Sequence, residues 1–180
     1  QGVGTECIVA FTFRLSGKPK EPPAIPELAG LRALVVDDDF NTCDSVSCML
    51  GEIGLRAEWT LSGKEAVLRT RQAVMRDDHY FVYIIDWLLP DMNGIEVARR
   101  IRQETGKDVP IIVLTAYDWA DIEEEAREAG VTAFCSKPLF LSELRGCLNS
   151  IVRADKQTEA TTKVRRSVRT GRILLVEDNE

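Results

Sequence analysis

Leu31-Arg32-Ala33-Leu34-Val35-Val36-Asp37-Asp38 and Phe81-Val82-Tyr83-Ile84-Ile85-Asp86 are the stretches whose reading decides the fold. Each is a short apolar run, rich in β-branched residues, that ends abruptly on a carboxylate. A run of this length without polar alternation predicts a strand buried on both faces, as in parallel sheets covered by helices. The spans 31–37 and 81–86 are therefore read as the first and third strands. Spans 56–60, 110–115 and 131–135 have the same character and supply the second, fourth and fifth.

Helical periodicities fill the intervals. Val46, Leu50 and Ile53 recur at helical spacing from about Asn41, and Gly54 stops that helix. Ser62-Gly63-Lys64-Glu65 reads as a capping box, in which Ser62 and Glu65 satisfy each other's orphan amides and open a second helix. A third helix over 94–104 turns Ile95, Ala98 and Ile101 inward. An acidic fourth over 118–129 ends at Gly130. Ser142 opens a fifth, with Leu144, Leu148, Ile151 and Val152 on one face. Five buried strands alternating with five helices specify an α/β protein with an open parallel sheet covered on both sides. Right-handed crossovers leave few topologies, and at this size the expected one is a flavodoxin-like (βα)5 doubly wound sheet of order 2-1-3-4-5.

The flanks differ. Residues 1–17 alternate with period two through Cys7, Val9, Phe11, Phe13 and Leu15, a strand signal. Residues 18–30 carry Pro19, Pro22, Pro23 and Pro26, which predicts an extended, semi-rigid linker. The expected α/β unit covers 31–154. Residues 155–171 are polar and basic without apolar period, hence a solvated linker. Residues 172–180 include Ile173-Leu174-Leu175-Val176-Glu177-Asp178, an abbreviated repeat of the first strand that suggests the start of a second copy. Two such orphan strands are expected to be poorly ordered or paired to a neighbour.

Bulk properties narrow the class. With 180 residues and 44% hydrophobic content the chain can bury a core. A net charge of -6 argues against a nucleic-acid surface, which needs a basic face. No apolar run is long enough to span a bilayer, and no secretory leader opens the sequence. Cys7, Cys43, Cys48, Cys135 and Cys147 are scattered without a C-x-x-C pair, so they read as reduced small hydrophobes in a cytoplasmic protein. The one histidine, His79, sits in a polar run and reads as a surface residue.

The chemistry is expected at the carboxyl ends of the strands, where open α/β sheets form their crevice. Asp37 and Asp38 follow strand one, Asp86 ends strand three, Thr115 ends strand four, and Lys137 follows strand five. Three carboxylates brought together repel unless cations offset them. The ammonium of Lys137 and a hard cation answer that need, and an oxygen-only set with room for water suits Mg²⁺.

Val35-Val36-Asp37-Asp38, Ile84-Ile85-Asp86-Trp87-Leu88-Leu89-Pro90, Met92-Asn93-Gly94, Leu114-Thr115-Ala116 and Ser136-Lys137-Pro138 together resemble the signature set of response-regulator receiver domains. The resemblance covers residues 31–153. It implies that Asp86 is the nucleophile and phosphoacceptor for a phosphohistidine donor. Asp38, Asp86 and the backbone carbonyl of Leu88 would bind Mg²⁺, with Asp37 holding metal-bound water. Thr115 would bond a phosphoryl oxygen, Lys137 would pair with its charge, and Phe134 matches the aromatic switch position. The face made by helix four, strand five and helix five would change on phosphorylation and could support self-association. Leu88 and Tyr117, two residues beyond Asp86 and Thr115, are poorly suited to orient water, so slow autodephosphorylation is expected.

The opening residues, Gly2-Val3-Gly4-Thr5 with the strand around Phe11-Thr12-Phe13, resemble the end of histidine-kinase ATP-binding domains. The order of segments then matches a hybrid histidine kinase with tandem receivers, in which this stretch is a switch without kinase activity of its own. Two other readings stand beside it. An aspartate-nucleophile phosphohydrolase of the dehalogenase type would want a second acid where Leu88 stands. A pseudo-receiver that only docks partners would usually lack one of the acids or the lysine, and all are present.

Overall fold

The computed structural model describes residues 10–12, 24–106, 109–116 and 123–164, with side chains described as far as residue 154. Five parallel strands form one sheet in the order β2-β1-β3-β4-β5. They are β1 (Arg32–Val36), β2 (Arg56–Thr60), β3 (Val82–Asp86), β4 (Ile111–Thr115) and β5 (Ala133–Ser136). Helices α1 (Phe40–Ile53), α2 (Gly63–Met75), α3 (Gly94–Thr105), α4 (Glu123–Glu128) and α5 (Leu141–Val164) follow them in turn. The expected sheet order is the one found.

Every residue of β3 and β4 is buried, as their unbroken apolar runs demand, whereas the edge strands β2 and β5 are half-covered. One core cluster lies between the sheet and α1 and α5, through Val46, Leu50, Ile53, Leu144 and Leu148. A second lies on the opposite face, where Ala66, Val97, Ala98 and Ile101 of α2 and α3 meet Leu34, Val36 and Ile85. Fully burying one such aliphatic side chain stabilises the fold by about 1.5–3 kcal/mol, so both faces contribute to holding the strand ends in place.

Several expectations change. Strand five starts later than residue 131, because Val131 belongs to the exit of α4. Gly130 adopts φ 84°, its N–H donates to Arg127 O, and Val131 N donates to Ala126 O at 2.9 Å. That is a Schellman end, which uses a left-handed glycine and packs the next apolar residue back on the helix. Gly54 and Leu55 end α1 in the same way on Gly51 and Leu50. The same Val131 joins Ile95, Ala126 and Ala129 in a third, small cluster.

The expected linker 18–30 is not extended where it is described. Pro26–Leu28 is a 3-10 turn, and Ile25 and Leu28 are buried in the first core cluster. Ile25 N donates to Ile53 O and Gly30 N to Gly54 O, each at 2.8 Å, so the core begins before residue 31. At the other end α5 runs to Val164, into the stretch read as a solvated linker. Ala10, Phe11 and Thr12 are exposed and form no strand, and the rest of the expected strand over 1–17 lies outside the described residues. So do Tyr117, the start of the fourth helix at Asp118, and the repeat over 172–180.

The capping box at α2 is half realised. Ser62 Oγ accepts from Glu65 N at 3.3 Å, but the Glu65 carboxylate turns to Arg69. Among the described residues no helix is long and apolar enough to cross a membrane. Cys43, Cys48, Cys135 and Cys147 are free thiols, and His79 is exposed, with Nε2 3.1 Å from Asp77 Oδ1.

Candidate functional site

The strand-end rule is obeyed with little slack. Val36 pairs with Ile85, and Asp86 with Leu114. Thr115 pairs with Ser136. The sheet register alone therefore brings Asp37, Asp86, Thr115 and Lys137 to one edge. Asp37 is fully buried, Asp86 is 6% and Thr115 2% exposed, while Asp38 faces solvent. Carboxylate oxygens of Asp37, Asp38 and Asp86 lie within 4.8 Å of one another.

Lys137 answers two of the three. Its Nζ is 2.7 Å from Asp37 Oδ2 and 2.8 Å from Asp86 Oδ1. Burial works to lower the lysine pKa, but the hydrogen bonds to the two carboxylates outweigh it and leave it raised. Asp86 moves the opposite way from a typical paired acid. Burial raises its pKa, the pull of Lys137 only partly offsets this, and the charges of Asp37 and Asp38 add to the rise. Its carboxylate is thus held dry and short of positive charge, facing an open edge.

Backbone contacts fix these side chains. Lys137 N donates to Thr115 O at 2.9 Å, and Trp87 N to Leu114 O at 2.9 Å. The Lys137–Pro138 peptide is cis. Asp37 Oδ1 accepts from Asp39 N at 2.9 Å, and Asp39 in turn caps α1 by accepting from Asn41 N and Thr42 N. Cys43 lies under the site, its Sγ donating to Asp37 O at 3.4 Å. Gly94 follows the loop after β3 and touches the strand end so closely that an added Cβ would strike Asp86 O. Its N–H donates to Trp87 O at 2.9 Å.

Asp37, Asp38, Asp86 and Lys137 come together at the strand ends with Thr115 alongside, whereas Leu88 and Phe134 have other surroundings. Leu88 is 55% exposed in the β3–α3 loop and bridges Asn93. Phe134 lies half-buried on β5 against the cluster of Ile95, Ala126 and Ala129. Sequence reasoning missed Asp39 and Asn93 as helix caps, although an Asx residue before a helical run is a recognised start signal. Asn93 Oδ1 accepts from Ile95 N at 2.7 Å. It also missed Asp91, for which no local signal exists.

A groove of about 580 Å³ opens beside the site between α1 and the β5–α5 loop, lined by Thr42, Met49, Lys137, Pro138 and Leu139. The donor set is hard and all-oxygen, with three carboxylates against one ammonium, so its chemistry fits a divalent cation such as Mg²⁺.

Comparison with known proteins gives the family and agrees with the fold. The profile of the response regulator receiver domain matches residues 33–149. The sensor histidine kinase AtsR of Burkholderia thailandensis is 33% identical over 160 residues, covering 83% of this chain and 25% of that one. The receiver domain of the sensor histidine kinase PA1611 of Pseudomonas aeruginosa, solved with a magnesium ion coordinated in its active-site cleft, is 30% identical. Its TM-score is 0.58 over 68% of this chain and 98% of that one. The chemotaxis protein CheY4 of Vibrio cholerae is 28% identical with a TM-score of 0.62, over 68% and 99% of the two chains. The chain spans between a quarter and just over half the length of the curated relatives it matches.

Proposed function

Because the chain belongs to the response regulator receiver domains of two-component signalling, we propose that it takes a phosphoryl group from a phosphohistidine onto Asp86 and passes on the resulting change of shape. One observation carries this reading: Asp86 is a buried carboxylate at a strand end, hydrogen-bonded to Lys137 and crowded by Asp37 and Asp38. A carboxylate in that setting is positioned for attack on phosphorus, while the residual negative charge around it calls for a cation.

Asp37, Asp38, Asp86 and the Leu88 carbonyl are the groups that would hold Mg²⁺, which supplies charge neutralisation at a transferring phosphoryl group. The remaining work falls to the chain itself. The free oxygen of Asp86 forms the new bond to phosphorus as the bond to the donor imidazole nitrogen breaks. Lys137, already bound to Asp86, neutralises charge on the equatorial oxygens. The Thr115 hydroxyl then moves toward the phosphoryl group, and Phe134 turns into the space released. Phe134 packs against the cluster that holds Ala126 of α4 and Ala129 just past its end, so its rotation would alter the α4–β5–α5 face. That face is the proposed output surface and the proposed route of any self-association. The groove beside Lys137 gives a donor helix access to the site.

The wider setting is also a proposal. The alignment to the AtsR kinase covers 160 residues, longer than the 33–149 core, which supports a place inside a larger sensor histidine kinase; its hybrid layout and cytoplasmic location are part of the proposal. The parent would be the phosphotransferase and this stretch its switch.

Incubation with phosphoramidate and Mg²⁺, followed by intact mass measurement, tests the central claim. One acid-stable, hydroxylamine-labile phosphoryl group is expected on the wild type and none on Asp86→Ala. Labelling of both proteins, or of neither, would overturn it. Turnover of a generic phosphate ester would instead favour the phosphohydrolase reading.

A further inference from the structure

Asp91 lies in the β3–α3 loop, five positions beyond Asp86, yet its carboxylate serves a different element. It accepts from Ser62 Oγ at 2.9 Å, Gly63 N at 3.1 Å and Lys64 N at 2.9 Å. These groups belong to the first turn of α2, where helix amides lack internal partners and negative charge is favoured. Ser62 completes the set, since the same hydroxyl accepts from Glu65 N. Burial works to raise the Asp91 pKa, but the bonds from Lys64, Ser62 and Gly63 outweigh it and hold it below the usual carboxylate value. Asp91 is therefore a charged cap supplied across space, and charge-assisted bonds of this kind are stronger than neutral ones.

The same contacts anchor the loop that Asp91 comes from. At its ends the loop is tied by the Leu88–Asn93 bridge and by Gly94 N on Trp87 O. In its middle the ties are Asp91 and Met92, and Met92 packs onto Gly63 of α2. Leu88 hangs between these fixed points. Its side chain is exposed, so the backbone connections rather than side-chain packing determine where its carbonyl lies.

We propose that Asp91 is a positioning residue for the site: by clamping the β3–α3 loop to the start of α2, it fixes the Leu88 carbonyl against Asp38 and Asp86 and so sets the affinity for the divalent cation. This rests on the reading above, in which those groups hold that cation. Asp91 touches neither cation nor phosphoryl group and acts through the loop.

Titration with Mn²⁺, followed by the electron paramagnetic resonance signal of the free ion, tests the clamp. Asp91→Ala should bind on the order of tenfold more weakly than the wild type, as for other outer residues that orient metal ligands. Asp91→Asn, which keeps one acceptor oxygen and loses the charge, should fall between the two. At saturating Mg²⁺ the Asp91→Ala protein should still reach wild-type phosphorylation from phosphoramidate. A folded Asp91→Ala with the wild-type dissociation constant, even if its melting temperature is lower, overturns the proposal. Should Asp91→Ala not fold, Ser62→Ala removes one of the three bonds; weaker Mn²⁺ binding supports the clamp and unchanged binding overturns it. If the wild type itself binds no Mn²⁺, the reading of the acidic site fails, not merely the part given to Asp91.

Discussion

Replacing Lys137 by methionine keeps an unbranched side chain, one heavy atom shorter, and deletes its charge. In the folded protein the ammonium sits 2.7 Å from Asp37 and 2.8 Å from Asp86, with the lysine side chain 26% exposed and the two carboxylates 1% and 9% exposed. At an effective dielectric constant of about 20, each contact is worth about 6 kcal/mol of Coulomb energy. Most of that is cancelled, because an ammonium and two carboxylates lose several kcal/mol of hydration each when buried. Removing the lysine abolishes its own desolvation cost but leaves Asp37 and Asp86 facing one another uncompensated. Asp37 retains one bond, from Asp39 N, and Asp86 keeps no ammonium partner. The net loss expected is about 3–5 kcal/mol, the range for deleting one partner of a buried pair. Urea unfolding at pH 7 with a chelator present measures it, and Mg²⁺ should recover part of the loss in the variant. A loss below about 1 kcal/mol would place this triad with exposed ion pairs and refute the reasoning.

Gly94→Ala puts a methyl group against Asp86 O and within 3.2 Å of Trp87 Cα, both backbone atoms that cannot swing aside. It should cost about 1–3 kcal/mol as overpacking does, and slow phosphoryl uptake at Asp86 by up to about 100-fold. Gly51→Ala, with open space around it on α1, is the control and should gain up to about 1 kcal/mol in denaturant unfolding. Glu58 accepts from Arg32 and Tyr80; burial alone would raise its pKa, but these bonds hold it below the usual value. A depressed carboxylate stabilises the fold above its unfolded pKa and loses that contribution as pH falls through the folded one. Glu58→Gln should therefore be less stable at pH 7, by no more than about 1 kcal/mol for a half-exposed pair, with the gap closing in acid; a gap that widens as pH falls refutes it. Leu88→Asn puts a polar group at an exposed position two residues beyond Asp86, and phosphate-release kinetics should show faster loss of the phosphoryl group; an unchanged rate removes the case for slow autodephosphorylation.

Much of the fold was legible because burial on two faces leaves a compositional trace. The runs ending at Val36, Asp86 and Thr115 have almost no polar residue, and Val46, Leu50 and Ile53 keep helical spacing. Errors came where one apolar residue serves a different contact. Val131 reads as strand but closes the Schellman end of α4, and Ile25 and Leu28 sit in a proline-rich stretch yet fill the core beside Ile53. The polar end of α5 has no core-facing period, but Ala154, Lys156, Gln157, Glu159 and Ala160 all favour helix, and local propensity carries the element on. Glu65 was expected to cap its own helix; Arg69, four residues along on the same helix face, competes successfully for its carboxylate.

By itself, the amino-acid order determined that Asp37, Asp38, Asp86, Thr115 and Lys137 would stand at one edge of a parallel sheet. Strand ends are marked locally, and the handedness of crossovers then leaves little choice of arrangement. Only the tertiary structure decided that Lys137 pairs with Asp37 and Asp86 while Asp38 stays in solvent. It also decided that Asp91 turns away from the site to cap α2. Both choices depend on distances of a few ångströms between elements remote in sequence, which register and packing set and no local pattern encodes.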